Sequence, residues 1–146
     1  MISLRSVDQS NWEECIKLKP KIEQQRFIAS NLYSIAECQF LTGFVMKAIY
    51  FDEELVGFSM YGVDPDDLNY WIYRFMIDER FQSRGYGKQA MKLIIRDVEA
   101  MSDRKDVLLL GYKPDNEQAK NLYEKVGFQE IGIAPWGEML AKYSFC

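Results

Sequence analysis

The sequence predicts an α+β fold in which a mixed β-sheet carries helices on both faces. Seven short runs rich in apolar, aromatic and β-branched residues have the length and composition of strands, and segments of helical period separate several of them. The run Val107–Tyr112 follows the run Tyr70–Ile77 with an amphipathic segment between them, which is typical of two parallel strands joined by a crossover helix.

Size and charge narrow the class of protein. The chain has 146 residues, of which 48% are hydrophobic and 27% charged, so one globular domain spanning residues 1–146 is expected. The net charge of −4 disfavours a nucleic-acid-binding protein, which needs a basic face, and suits either a cationic substrate or an ordinary acidic surface. The sequence contains no histidine, which excludes histidine catalysis and histidine metal ligands, and no metal site is predicted.

The cysteines and the apolar runs indicate where in the cell the protein is expected. Cys15, Cys38 and Cys146 form no C-x-x-C pair, and an odd number of unpaired cysteines favours reduced thiols in the cytoplasm. No apolar run reaches the ~18 residues that a membrane-spanning helix needs, and the N-terminus lacks the pattern of a signal peptide. A cytoplasmic protein without a membrane partner is therefore expected.

The N-terminal part of the chain is expected to contain three strands, of which the last two form a hairpin. The strands are Ile2–Val7, Phe44–Phe51 and Leu55–Tyr61, with Asp52-Glu53-Glu54 as the hairpin turn. After the first strand, Asp8 or Ser10 is expected to cap a helix, which Pro20 interrupts. The segment Lys21–Cys38 is predicted to form one or two further helices, and a loop follows at Asp64-Pro65-Asp66-Asp67.

The central stretch is predicted to form a strand, a glycine loop and a helix. Tyr70–Ile77 is the strand, Gln82-Ser83-Arg84-Gly85-Tyr86-Gly87 is the loop, and apolar residues recur at helical spacing from Ala90 to Val98. Glycines admit an anion close to the backbone, and a helix N-terminus offers free N–H groups at the positive end of its dipole. The loop is therefore predicted to bind phosphate, although its spacing matches neither the dinucleotide fingerprint nor the P-loop. Three cations lie beside it: Arg80, Arg84 and Lys88.

The C-terminal part is expected to add one helix and three strands. After the strand Val107–Tyr112, Asn116 opens a helix, and Gly127 occupies the position at which a helix commonly ends. The last two strands are predicted at Phe128–Ile133 and Met139–Phe145, with a turn at Pro135-Trp136-Gly137-Glu138.

Two motifs about 30 residues apart carry a family resemblance. The glycine loop after an apolar strand resembles the pyrophosphate loop of the GNAT family of N-acetyltransferases, and Asn116-x-x-Ala119-x-x-Leu122-Tyr123-x-x-Val126-Gly127-Phe128 resembles the family's following helix. The resemblance implies acetyl-CoA as co-substrate and a mostly antiparallel sheet splayed into a V by a bulge in its central strand.

A closer resemblance is to bacterial spermine/spermidine N-acetyltransferases. It rests on three stretches, each less specific than the glycine loop: Gln25-x-x-Ile28-Ala29-x-Asn31-x-x-Ser34-Ile35, Leu55-Val56-Gly57-Phe58-x-Met60-Tyr61-Gly62 and Arg74-Phe75-x-Ile77-Asp78-x-Arg80-Phe81-Gln82. This resemblance implies a polyamine substrate and a homodimer, for which the C-terminal strands are a plausible interface.

The resemblance also assigns the cofactor-binding residues. The pantetheine arm is expected to pair with the main chain of Phe75, Met76 and Ile77, and Asn116 either lies beside it or simply caps its own helix. The pyrophosphate is expected to take backbone N–H groups from the loop and helix start, which comprise Gln82, Ser83, Arg84, Gly85, Tyr86, Gly87 and Lys88.

For catalysis, the resemblance makes Tyr123 the acid that protonates the departing CoA thiolate, and a core tyrosine is the alternative. Some polyamine acetyltransferases place a carboxylate on the central strand just before the phenylalanine, where this chain has Tyr73 and Arg74. A water relay to Glu37, Asp52 or Tyr73 therefore stays open as the base. The substrate candidates are Glu37, Tyr33, Trp71 and Tyr73, with Glu23, Tyr61 and the acids Asp64, Asp66 and Asp67 as further possibilities.

The predicted function is acetyl transfer from acetyl-CoA to a primary amine of a polyamine, by direct attack on the thioester and without a cysteine intermediate. Two alternatives stay open. The acceptor is another amine, such as a protein N-terminus, a lysine or an aminoglycoside, or the protein is a non-catalytic CoA-binding sensor.

Overall fold

The computed structural model describes residues 1–145, which form one seven-stranded sheet with helices on both faces, so the predicted α+β class is confirmed. The strands are β1 (Ile2–Ser6), β2 (Val45–Phe51), β3 (Glu54–Val63), β4 (Tyr70–Ile77), β5 (Val107–Tyr112), β6 (Gln129–Ile133) and β7 (Met139–Ser144). The helices are α1 (Trp12–Lys17), α2 (Asn31–Cys38), α3 (Tyr86–Glu99) and α4 (Glu117–Val126), with 3₁₀ helices at Ile22–Phe27 and Glu79–Phe81. None of the helices within residues 1–145 has the length and apolar character that crossing a membrane requires.

The start of α1 differs from the prediction. The helix begins at Trp12 with Asn11 at its N-cap position, so the prediction that Asp8 or Ser10 caps it is wrong. The Asp8 carboxylate instead accepts hydrogen bonds from the backbone N–H and the hydroxyl of Ser10, at 2.8 and 2.6 Å. The side chains of Asp8 and Ser10 therefore stabilise the turn before α1 and do not cap the helix.

The core lies on both sides of the sheet. On one face, α3 contributes Met91, Ile94 and Val98 to a cluster that includes Leu108 and Leu110 of β5, and α4 packs on the same side. On the other face, side chains of α1 and the segment after it cover β3 and β4; the residues of this cluster include Cys15, Leu18, Phe58, Met60 and Met76. The central strands are therefore packed on both faces, and the functional site lies near their ends.

The sheet opens between β4 and β5. All neighbouring strands are antiparallel except this pair, whose register covers only Tyr70–Ile72 against Leu108–Leu110. The β3–β4 register shifts at the same level, because Met60 faces Arg74 and Tyr61 faces Ile72, which leaves Tyr73 as the extra residue of a bulge. A bulge bends its strand and raises the local twist. The last five residues of β4 thus diverge from β5 and form one arm of a V.

Candidate active site

A cleft of about 670 Å³ fills the V. Its walls are the diverging part of β4, the end of β5, the glycine loop, α4 and the segment around the first 3₁₀ helix. The predicted pantetheine-binding residues Phe75, Met76 and Ile77 line it. The side-chain amide of Gln82 donates to the Ile77 carbonyl at 2.9 Å and to Gln24 at 3.0 Å, so Gln82 fixes the loop against the end of β4.

The glycine loop lines this cleft and leads into the N-terminus of α3. Ser83 and Gly85 have positive φ values of 65° and 82°. Gly85 is the N-cap of α3, and no side chain caps that helix. The first N–H groups of α3 are therefore left for another partner, at the positive end of a 14-residue helix. This geometry suits a phosphate group.

Gly87, in the first turn of α3, is not needed by the fold. A Cβ at this position would meet no atom closer than 3.6 Å, the distance to a Leu122 methyl, and its backbone is helical. Gly87 lines the cleft. A glycine here has an evident use only if a ligand approaches the backbone closely.

The cations around the loop have different partners. Lys88 and Lys125 line the cleft and lie where they can screen a phosphate charge. The Arg80 guanidinium donates to the buried Asp78 carboxylate at 2.7 Å, and Arg84 lies over the Phe81 ring at 5.6 Å without lining the cleft. Of the predicted loop residues, Arg84 alone is not brought to the cleft surface; Gln82, Ser83, Gly85, Tyr86, Gly87 and Lys88 are.

The predicted acid, Tyr123, lines the cleft from α4. Its ring packs against Tyr112 and Phe128, with centroid distances of 5.6 and 5.8 Å. Burial, and secondarily the negative charge of Glu138, raise the pKa of its hydroxyl above the ordinary value. Tyr123 therefore keeps its proton at neutral pH. Asn116 lines the cleft, and its side chain caps α4 by accepting the Ala119 N–H at 3.2 Å.

A second cleft of about 410 Å³ adjoins the first at the bulge of β4. Five residues line both: Ile72, Tyr73, Arg74, Gly111 and Glu138. Four carboxylates and two indoles also border this second cleft, namely those of Asp64, Asp66, Asp67, Glu138, Trp71 and Trp136. None of these carboxylates takes part in an ion pair within residues 1–145. We call this the acidic cleft.

Neutral donors hold the acids of the acidic cleft in place. The Tyr73 hydroxyl donates to Asp64 at 2.5 Å, and the Trp71 indole donates to Asp67 at 2.9 Å. Burial and the Asp64 bond raise the pKa of Tyr73, so its hydroxyl also stays protonated. Among residues 1–145, no cationic side chain forms an ion pair with these carboxylates, which favours a cationic ligand.

The other substrate candidates lie elsewhere. Glu37 and Tyr33, both on α2, line neither cleft; Glu37 forms an ion pair with Arg74 at 2.8 Å, and Tyr33 is 59% exposed. Asp52 binds the N-terminal amine at the β2–β3 turn, at 2.8 Å. Two further candidates also lie outside both clefts: Glu23 and Tyr61.

Sequence reasoning missed Glu138, together with Tyr112 and Lys125. Glu138 lies in the β6–β7 turn, outside both motifs, and reaches the cleft because β7 pairs with β5. Its neighbour in sequence, Trp136, gives the signal that was available: an exposed indole beside an acid in a turn next to the last strand.

The residues present fit acetyl-CoA. The V supplies a slot with a strand edge that β5 does not pair, the uncapped start of α3 supplies a phosphate site, and lysines flank that site. The arrangement can bind a pantetheine arm, hold a pyrophosphate and present a thioester between Tyr123 and the acidic cleft.

Comparisons with known proteins agree with this geometry. The model of the Acetyltransferase (GNAT) family matches residues 4–128. The chain is 30% identical over 137 residues to the spermine/spermidine N(1)-acetyltransferase of Bacillus subtilis (strain 168), with 90% of each chain covered.

Two solved structures have the same fold. The acetyl transferase from Salmonella typhimurium that modifies the N-terminal serine of ribosomal protein L7/L12 has a TM-score of 0.80, 17% identity, and coverage of 99% of this chain and 95% of that one. An aminoglycoside acetyltransferase in complex with coenzyme A has a TM-score of 0.81, 14% identity, and coverage of 99% and 95%. The chain therefore belongs to the GNAT family of N-acetyltransferases, which use acetyl-CoA.

Proposed function

We propose that this protein transfers the acetyl group of acetyl-CoA to a primary amine of a polyamine, such as spermine or spermidine. The observation that carries the proposal is the acidic cleft, which adjoins the V cleft and whose carboxylates form no ion pair within residues 1–145. A polyamine carries ammonium groups along an apolar chain, so it gains from several fixed negative charges and from indole faces beside them. The name of the 30% identical relative supports the same substrate class.

The reaction is proposed to proceed by direct attack. The amine nitrogen attacks the thioester carbon, the C–N bond forms and the C–S bond breaks, with a backbone N–H at the bulged part of β4 stabilising the oxyanion. Tyr123 donates its proton to the departing sulfur. Neither Cys15 nor Cys38 lines either cleft, and burial raises the pKa of the Cys15 thiol to about 11, which leaves no role for them as acyl carriers.

The test is a steady-state assay of CoA release with spermine, spermidine, a lysine peptide and an aminoglycoside as acceptors. A true polyamine substrate should reach a kcat/KM of ~10⁴ M⁻¹s⁻¹ or more. Greater activity on the peptide or the aminoglycoside would replace the polyamine with that acceptor. Binding of acetyl-CoA without turnover of any amine would favour the sensor alternative.

Tyr123→Phe tests the acid, with Tyr143→Phe as a matched control. Tyr143 lies in the neighbouring aromatic cluster, 5.8 Å from the Phe128 ring, but lines neither cleft. We expect Tyr123→Phe to lower kcat by ~10²-fold or more and the control to change it little. Equal effects of the two substitutions would show that Tyr123 is a packing residue.

We also propose a homodimer that forms through β6. This edge strand is exposed along all five residues, and Ile131 and Ile133 are 49% and 57% exposed. An exposed apolar strand edge favours pairing with a second copy. Light scattering should give a dimer for the wild type and a monomer for Ile131→Lys/Ile133→Lys, while Phe40→Lys, at another exposed apolar position, should leave the mass unchanged.

A further inference from the structure

Glu138 is held directly over the point where β4 and β5 separate. The last β5 residue paired with β4 is Leu110, and a Cβ built on the next residue, Gly111, would lie 3.1 Å from Oε1 of Glu138. Only a glycine leaves room for the carboxylate at that position without displacing it. The turn that carries Glu138 is closed by its own carbonyl, which accepts the Ala134 N–H at 2.7 Å, and the Trp136 indole donates to Oε1 at 2.7 Å.

Glu138 is the one carboxylate among residues 1–145 that lines the V cleft, and it also lines the acidic cleft. Its second oxygen, Oε2, receives no hydrogen bond from the described part of the chain. The other carboxylates near the site are engaged or more distant, because Glu37 pairs with Arg74 and Asp64 and Asp67 line only the acidic cleft.

We propose that Glu138 is the catalytic base that takes the proton from the substrate ammonium. The inference rests on the proposed function and assigns the step that the motifs leave open. A primary ammonium of pKa ~10.4 is neutral in only about one molecule in 10³ at pH 7, so a base at the entrance to the V has a large effect on rate.

The proton and the electron pair balance over the reaction. The ammonium N–H proton passes to Oε2 of Glu138, and the freed nitrogen lone pair forms the bond to the thioester carbon. The electrons of the broken C–S bond leave on sulfur, which receives the hydroxyl proton of Tyr123. The nitrogen of the tetrahedral intermediate still carries one proton more than the amide, and this second proton is released to solvent. The proton on the Glu138 carboxyl passes to the Tyr123 phenolate, directly or through solvent, and restores both groups, so the reaction releases one proton overall.

Tyr123 and Glu138 already interact electrostatically, since the Glu138 charge contributes to the raised pKa of Tyr123. Other titratable or charged side chains share a cleft with Glu138: Tyr73 and Arg74 of β4, Tyr112 of β5, Tyr86 and Lys88 of α3, Lys125 of α4, and Asp64, Asp66 and Asp67 of the β3–β4 loop.

The experiment compares Glu138→Gln with wild type on two acceptors of matched shape. One is the amine that the wild type acetylates fastest, and the other is its analogue in which a neighbouring difluoromethylene lowers the ammonium pKa to about 7, some three units below the ordinary value. We expect Glu138→Gln to lower kcat by ~10²-fold or more on the basic amine and by less than ~10-fold on the weakly basic one.

An equal loss on both amines, a change in KM alone, or no loss would each overturn the assignment of Glu138 as base. A wrong polyamine assignment would show separately, in the wild-type rates across the acceptors. Acetyl-CoA affinity by calorimetry should be the same for wild type and Glu138→Gln. Glu124→Gln removes an exposed carboxylate outside both clefts and should leave the rates unchanged.

Gly111→Ala gives an independent test that keeps the carboxylate. Its Cβ would lie 3.1 Å from Oε1 of Glu138 and 3.3 Å from a Leu140 methyl, so both side chains must move by a few tenths of an ångström, while Gly111 has no positive φ that would strain an alanine. We expect a loss of kcat of roughly tenfold that is confined to the basic amine. In the Glu138→Gln background the same substitution should add nothing, and an additive loss would show that Gly111 does not act through Glu138.

Discussion

Replacing Gly87 by alanine should change the stability of the protein and its affinity for acetyl-CoA in opposite directions. The site has a helical backbone and no neighbour within 3.6 Å of the new methyl group, so the substitution should not strain the protein. Alanine has less freedom than glycine in the unfolded chain, which stabilises a compatible site by about 0.4–1 kcal/mol. For a chain of this length we expect the unfolding midpoint to rise by about 1–3 °C.

The same methyl group should weaken acetyl-CoA binding, because it keeps a phosphate away from the N–H groups at the start of α3. Loss of one hydrogen bond to a charged group costs about 1.5–3 kcal/mol, which corresponds to roughly 10- to 100-fold in Kd. Thermal unfolding without ligand and calorimetric titration with acetyl-CoA measure the two effects separately.

Gly85→Ala is the matched comparison. Its φ of 82° belongs to the left-handed region, so alanine should cost about 1–2 kcal/mol of stability there as well as affecting binding. If Gly87→Ala binds acetyl-CoA as tightly as wild type, the loop is not the phosphate site. If it is less stable than wild type, the reading of the space around Gly87 is wrong.

Three further predictions concern charge and pH. Burial would raise the pKa of Asp78, but hydrogen bonds from Arg80 and the Lys19 N–H outweigh it and lower that pKa. Its stabilisation is therefore present above pH ~4 and lost as pH falls through the folded pKa. Asp78→Asn should cost about 1–3 kcal/mol at pH 7 in urea unfolding, and this cost should shrink as the pH is lowered below ~4. Glu37→Gln leaves Arg74, whose side chain is 17% exposed, without its partner, and should lower the free energy of unfolding by about 1–3 kcal/mol in urea titrations at pH 7. The pKa of Tyr123 is raised above its ordinary value of ~10, so Tyr123 does not titrate at lower pH. Tyr123→Phe should therefore lower kcat and leave the shape of the pH–rate profile unchanged up to pH ~10. A change in that part of the profile would contradict the prediction.

The strands and the two long helices were predictable because their signals are local. The apolar run of β4, the glycine loop and the helical period of α3 follow one another directly in the sequence, so each can be recognised from neighbouring residues. Gly127 likewise ends α4 as expected, with a φ of 111°. The first helices were less predictable, because their ends depend on contacts that sequence does not show. One example is the bond from the Glu79 N–H to the Lys19 carbonyl, which ties the segment after α1 to the end of β4.

The residues of the candidate site also differ in how local their sequence signals are. The loop and Tyr123 lie within motifs, so sequence alone could name them, whereas Glu138 reaches the V only through the pairing of Met139 with Tyr112 across β7 and β5. The ion pair between Arg74 and Glu37 was likewise hidden, since 37 positions separate its partners. Contacts of this kind depend on the register of the whole sheet.

The charges around the V also indicate the direction from which the amine arrives. Arg74 lines both clefts, and a cation at this position would repel an ammonium group if its charge were not balanced. Glu37 balances it from α2, while the carboxylates of the acidic cleft form no ion pair with a cation of residues 1–145. Acids without an ion-pair partner in the described part of the chain therefore lie along the β3–β4 loop and at Glu138. Under the proposed mechanism, an amine drawn to these acids meets the thioester on the side where Gly111 leaves space for the carboxylate, which is the approach that deprotonation by Glu138 requires.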